Sequence, residues 1–151
     1  MDRPFTFKLE RVRALRERKE ELAKEELAAS LALRLRGEAM LHAAYENVEE
    51  ARKLQRSAAQ HSMTAAELQA AQAYLERTER EREIASLDLD RRDAEVDARR
   101  TALQSAARDR EVLERLKARR RDEHRREADR RAGALLDEMA ITMHRRRRLA
   151  P

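Results

Sequence analysis

Gln60-His61-Ser62-Met63-Thr64-Ala65-Ala66-Glu67-Leu68 decides how this chain folds. Thr64-Ala65-Ala66-Glu67 has the form of a capping box. The threonine hydroxyl accepts from the Glu67 amide, and the glutamate carboxylate accepts from the Thr64 amide. Met63 and Leu68 hold the two positions of a hydrophobic staple, and Gln60, His61 and Ser62 supply a polar turn ahead of it. On either side the chain contains almost no helix breaker. No proline lies between Pro4 and Pro151, and glycine occurs only at Gly37 and Gly133. Proline costs a helix interior about 3 kcal/mol and glycine about 1 relative to alanine. Alanine, leucine, arginine and glutamate fill most of the run instead. A first helix is expected from about Thr6 to His61, a turn over residues 62–64, and a second helix from Ala65 to about Arg147.

Composition agrees with long helices. Charged residues make up 43% of the 151-residue chain and aromatic residues 3%, with a mean hydropathy of −0.95. Such a sequence lacks the material for a broad globular core and reads as coiled coil. Low hydropathy also favours disorder, but a net charge of only +5 and a periodic apolar pattern oppose that reading. In the second helix, Leu68, Leu75, Leu89, Val96 and Leu103 recur by sevens, with Arg82 the charged member. Ala71, Thr78, Ala85, Arg92, Arg99, Ala106 and Leu113 form the companion stripe. A seven-residue repeat keeps one seam on a partner helix. The first helix looks less regular. Leu9, Val12, Leu15, Leu22, Leu27, Leu31, Leu35, Leu41, Tyr45, Val48 and Leu54 drift around its axis, which suggests stutters.

A short turn makes the two helices antiparallel neighbours. The fold class is therefore all-α: one domain over residues 1–151, built as an antiparallel coiled-coil hairpin. Residue i faces roughly residue 126 − i, which sets Phe5 and Leu9 near Arg121 and Lys117. The longer second helix should overhang beyond about Arg121, by on the order of 40 Å at 1.5 Å per residue. Residues 115–148 carry 13 Lys/Arg against 6 Asp/Glu, a net +7 that leaves −2 for the rest. The overhang is thus basic. Ala132, Leu136, Met139 and Met143 step along it by four, three and four, as an apolar stripe does on an amphipathic helix.

Catalytic chemistry finds no foothold. Zero cysteines removes disulfides, thiolate metal sites and thiol nucleophiles. His42, His61, His124 and His144 are scattered, with no HExxH motif, and neither a phosphate-binding glycine loop nor GxSxG occurs. Acidic pairs such as Glu20-Glu21 are expected on exposed helix faces, without the desolvation that retunes a catalytic carboxylate. The expectation is a non-enzyme with no catalytic residue, cofactor or metal. No apolar run approaches the ~20 residues of a bilayer span, and Met1-Asp2-Arg3-Pro4-Phe5 lacks a signal-peptide pattern. A cytoplasmic location follows as the expectation. Single-strand binders interleave aromatics with cations, whereas no aromatic lies beyond Tyr74, so no specific nucleic-acid partner is expected.

The two ends carry a resemblance. Pro4-Phe5-Thr6-Phe7-Lys8-Leu9-Glu10-Arg11-Val12-Arg13-Ala14-Leu15-Arg16 resembles the opening of flagellar FliJ proteins. Residues 119–127 (Arg-Arg-Arg-Asp-Glu-His-Arg-Arg-Glu), followed by Leu136-Asp137-Glu138-Met139-Ala140, look like that family's ending. The resemblance implies a stalk-like antiparallel coiled coil of flagellar protein export, similar to the central stalk of rotary ATP synthases. It implies docking into the ring of the export ATPase FliI, engagement of the export-gate protein FlhA, and association with substrate chaperones. It places the protein at the inner face of the cell membrane, peripherally, through the export apparatus. Phe5, Phe7, Leu9 and Val12, with Leu136, Met139 and Met143, would meet the ATPase ring. Tyr74 and Leu75 resemble the family's gate-contacting pair, although Thr78 stands where the pattern prefers an apolar residue. Two alternatives remain at this level: the equivalent stalk of a virulence-type secretion apparatus, and a basic coiled coil that binds nucleic acid or a membrane surface.

Overall fold

In a computed structural model, residues 4–149 are described; Met1 to Arg3, the start of the stretch read for a signal sequence, and Ala150 and Pro151 lie outside them. Two helices pack against each other: α1, Glu10–Gln60, and α2, Ala65–Leu149. Among the described residues there is no strand. The capping box forms as the sequence requires. The Thr64 amide donates to Glu67 Oε2 at 2.7 Å, and the Glu67 amide donates to Thr64 Oγ1 at 3.3 Å. The amide and hydroxyl of Thr64 hold the Glu67 carboxyl below its ordinary range. Met63 and Leu68, the staple pair, both stay exposed.

The chain packs as two units. In the larger, Glu20–Ser105, the helices run antiparallel in the expected register. Arg34 pairs with Asp93, and the Gln55 amide donates to Gln72 at 2.6 Å; each partner lies one position from 126 − i. Arg99 reaches Glu26 at 2.7 Å and Arg52 reaches Glu79 at 3.4 Å. The α2 seam is the one read from the sequence. Ala71, Thr78 and Val96 are buried, while Leu75, Arg82, Ala85, Leu89, Arg92, Arg99 and Leu103 are half-buried between them. Leu68, the first residue of that repeat, lies outside the seam.

The irregularity expected of α1 is overturned. Its seam is a strict heptad through Glu20, Ala23, Leu27, Ser30, Arg34, Gly37, Leu41, Ala44, Val48, Ala51, Gln55 and Ala58, with steps of three and four throughout. Alternate members are alanine, serine or glycine, which lets the backbones approach closely. The leucines that seemed to drift do so because Leu22, Leu35, Tyr45 and Leu54 are not seam residues; all four are exposed. The two buried hydroxyls of the seam are satisfied on their own helices. Ser30 donates to the Leu27 carbonyl at 2.8 Å, and Thr78 to the Leu75 carbonyl at 2.9 Å.

The smaller unit joins the residues up to Lys19 with those from Ala106 onward. Here α1 begins at Glu10 rather than Thr6. Residues 4–7 are non-helical, and the Glu10 amide closes a turn on the Phe7 carbonyl at 3.1 Å. A non-helical backbone advances farther per residue than a helical one, so the Phe5 ring reaches His124 rather than Arg121. The overhang of α2 accordingly starts later than expected. Every residue from Asp129 to Arg148 is exposed. Arg146, Arg147 and Arg148 lie in the last turn of α2, where cations complement the helix dipole.

Candidate interaction surfaces

The first surface is the clamp that holds the N-terminal segment in the smaller unit. Arg13 is its hub, bonding Glu10 through Nε at 2.9 Å and Glu114 through Nη1 at 2.8 Å. Lys117 lies 2.9 Å from Glu10 Oε2, and Arg16 donates to Asp109 at 2.7 Å. The hydrogen bonds from Arg13, then Lys117, bring the Glu10 carboxyl down to about 2. The same bonds, from Glu10 first and Glu114 second, raise the Arg13 guanidinium above its already high ordinary value. Ahead of the clamp, the Phe5 ring meets the His124 ring edge-to-face, with centroids 5.8 Å apart and planes at 62°. Such a pair adds about 0.5–1.5 kcal/mol to the area that it buries. Phe5, Phe7, Leu9, Leu116, Arg120 and His124 line an open groove of ≈ 550 Å³. Of the residues expected at the ATPase, Phe5 and Phe7 are half-buried against α2, whereas Leu9 and Val12 are exposed.

The second surface is the tail of α2. Leu136, Met139 and Met143 are 66%, 57% and 68% exposed, and Leu135 beside them is also exposed. Four large apolar side chains on one face of a helix, with nothing of the unit laid over them, form an exposed apolar stripe. In proteins, helices owe most of their stability to the packing of such a face.

The third surface surrounds Tyr74, in the larger unit. Tyr74 and Leu75 are both half-buried. Leu75 belongs to the seam, while the Arg77 guanidinium lies 5.5 Å from the Tyr74 ring centroid, within cation–π reach. Thr78, the departure from the family pattern, is buried in the seam.

A fourth surface escaped the sequence reading. In the larger unit, Met40, Ile84 and Leu87 stand exposed around a groove of ≈ 660 Å³, floored by Gly37, Ala44 and Ala85. Its signal lies in the residues just off the seam. Leu33, Met40 and Leu54 hold α1 positions where coiled coils usually carry charge. That signal becomes visible only once the alanine-rich seam is known.

Among the described residues, no group of three or more His, Asp or Glu side chains is placed to hold a metal, and no helix is long and apolar enough to cross a membrane. The sequence profile of the family described as flagellar FliJ protein matches residues 5–149. Neither a curated protein nor a solved structure matches the chain significantly.

Proposed function

The chain belongs to the flagellar FliJ protein family, and from that membership we propose that it is the non-enzymatic stalk of the flagellar export ATPase. Family membership makes it a flagellar export component associated with the export apparatus. The finer reading assigns its surfaces to partners. The ring of the ATPase FliI takes the tail of α2, through Leu136, Met139 and Met143, together with Phe5, Phe7, Leu9 and Val12. The gate protein FlhA takes Tyr74 and Leu75, and substrate chaperones use the remaining helix faces. This work would be done in the cytoplasm, at the inner face of the cell membrane.

The observation that carries the reading is the tail. An exposed apolar stripe ends in Arg145, Arg146, Arg147 and Arg148, so the helix offers both burial and positive charge to one enclosing partner. A ring interior lined by acidic side chains complements it, and salt screens such attraction within about 10 Å at 0.1 M. The test is binding of the purified, nuclease-treated chain to the cognate ATPase across a salt series. The reading expects a complex that survives nuclease and weakens with salt. Absence of a complex, or its loss on nuclease treatment, contradicts the reading.

A further inference from the structure

We propose that residues 130–148 of α2 form an interfacial helix that lies on an anionic lipid bilayer. Three features converge there. The first is the apolar face: Leu135, Leu136, Met139 and Met143 project from one side of the helix and are all exposed. The second is charge. Arg130 and Arg145 to Arg148 flank the stripe, with Arg131 paired to Glu127 one turn back; residues 130–148 carry a net +4, their acidic members being Asp137 and Glu138. No Asp or Glu lies between Met139 and Leu149 to neutralise the terminal arginines. At about 100° per residue the four consecutive arginines encircle the helix just past the stripe, so basic groups reach the headgroup level beside the apolar side chains, as in helices that seat at the headgroup boundary.

The third feature is Gly133. A Cβ built there meets nothing within 4 Å, so no neighbour requires a glycine at this position. Glycine nonetheless weakens a helix, and here it sits where the stripe begins. It gives α2 a point at which the tail can bend to lie flat on a surface.

The chemistry selects lipid over nucleic acid and over a second copy of the tail. Nucleic acid rewards arginine through phosphate contacts and aromatics through stacking; the tail has no Phe, Tyr or Trp, and its apolar stripe would remain in water on a phosphate backbone. A second copy of the same tail brings four more arginines against these four. An anionic bilayer takes both features at once, acyl chains receiving the stripe and headgroups the arginines. Each basic residue near such a surface strengthens binding about fivefold, so the four terminal arginines together contribute a factor of several hundred.

This goes beyond the export-stalk reading and needs no ATPase. The same face cannot be covered by lipid and by a protein ring together, so a membrane-bound chain has its tail withheld from the ring.

The experiment is flotation of the purified full-length chain with vesicles of phosphatidylcholine alone and of phosphatidylcholine with phosphatidylglycerol, at low and high salt. The chain should float with the anionic vesicles at low salt and not with the neutral ones. Replacing Arg145 to Arg148 with glutamine should weaken that binding several hundred-fold. Leu136→Gln with Met139→Gln, which leaves the charge unchanged, should abolish it, while circular dichroism shows unchanged helicity. Failure to float with anionic vesicles at low salt overturns the proposal, as does equal binding to both vesicle types. Undiminished binding of the charge-neutral Leu136→Gln, Met139→Gln variant also overturns it, because contact would then be charge alone. Retention on duplex DNA without flotation would assign the tail to nucleic acid instead. None of these outcomes touches ATPase binding, which is measured separately.

Discussion

Gly37→Ala probes how closely the two helices approach in the larger unit. In an exposed helix interior this change stabilises by about 1 kcal/mol, because alanine is the better helix former. At position 37 the added Cβ would lie 2.8 Å from Arg92 Cδ, 3.3 Å from its Nε and 3.5 Å from Leu89 Cδ1. Arg92 must move, and its place is defined: Nε donates to Asp88 at 2.6 Å, and Nη1 donates to the Leu33 carbonyl at 3.3 Å. Partly exposed ion pairs are worth about 0.2–1 kcal/mol, and a hydrogen bond about 0.5–1.5. The displacement therefore matches or exceeds the propensity gain, and Gly37→Ala should leave stability nearly unchanged or lower it by up to about 1.5 kcal/mol. In an Arg92→Ala background the obstruction is gone, and the same substitution should recover about 1 kcal/mol. Urea unfolding of the four proteins, followed by circular dichroism, gives the coupling. A full gain from Gly37→Ala in the native background, with no coupling to Arg92, would refute the close approach.

Gly133→Ala is the contrasting case: with open space around position 133, hydrogen exchange should show a slower-opening tail, by a factor corresponding to about 1 kcal/mol. Thr64→Ala removes the hydroxyl that accepts from the Glu67 amide and should lower stability by about 1 kcal/mol in chemical unfolding. Acid should loosen the N-terminal clamp. The folded Glu10 carboxyl titrates at about 2, below its ordinary 4.5, so its contribution is whole above pH 4.5 and is lost as pH falls towards 2. Thermal melts across that window should show a shallower acid loss for Glu10→Gln than for the native chain. Spin labels at positions 45 and 82 should report close approach, since the Arg82 guanidinium lies 5.6 Å from the Tyr45 ring centroid.

The two helices differed in how far their sequences could be read, for a physical reason. The α2 seam carries Leu75, Leu89, Val96 and Leu103 at seven-residue spacing, so hydropathy alone traces it. The α1 seam is built on Ala23, Ser30, Gly37, Ala44, Ala51 and Ala58, side chains too small to dominate a hydropathy pattern. Leu22, Leu35 and Leu54 meanwhile face outward and mimic a wandering stripe. The turn was legible because a capping box is local chemistry between residues three apart. The first helix start was not, because residues 4–7 follow the long-range contact of Phe5 with His124 rather than local propensity. Among the candidate surfaces, the tail stripe could be read from spacing. The groove at Met40, Ile84 and Leu87 could not, because it joins residues of two helices whose seam had first to be known.

The central claim assigns the α2 tail to the ATPase and Tyr74 to the gate. The measurement that tests it most directly compares two full-length variants, Leu136→Glu with Met139→Glu, and Tyr74→Ala, in equilibrium binding to FliI and to FlhA. The account predicts that the tail variant loses FliI and keeps FlhA, and that Tyr74→Ala does the reverse, both with native helicity. Equal loss of both partners by each variant, or full FliI binding by the tail variant, would contradict it.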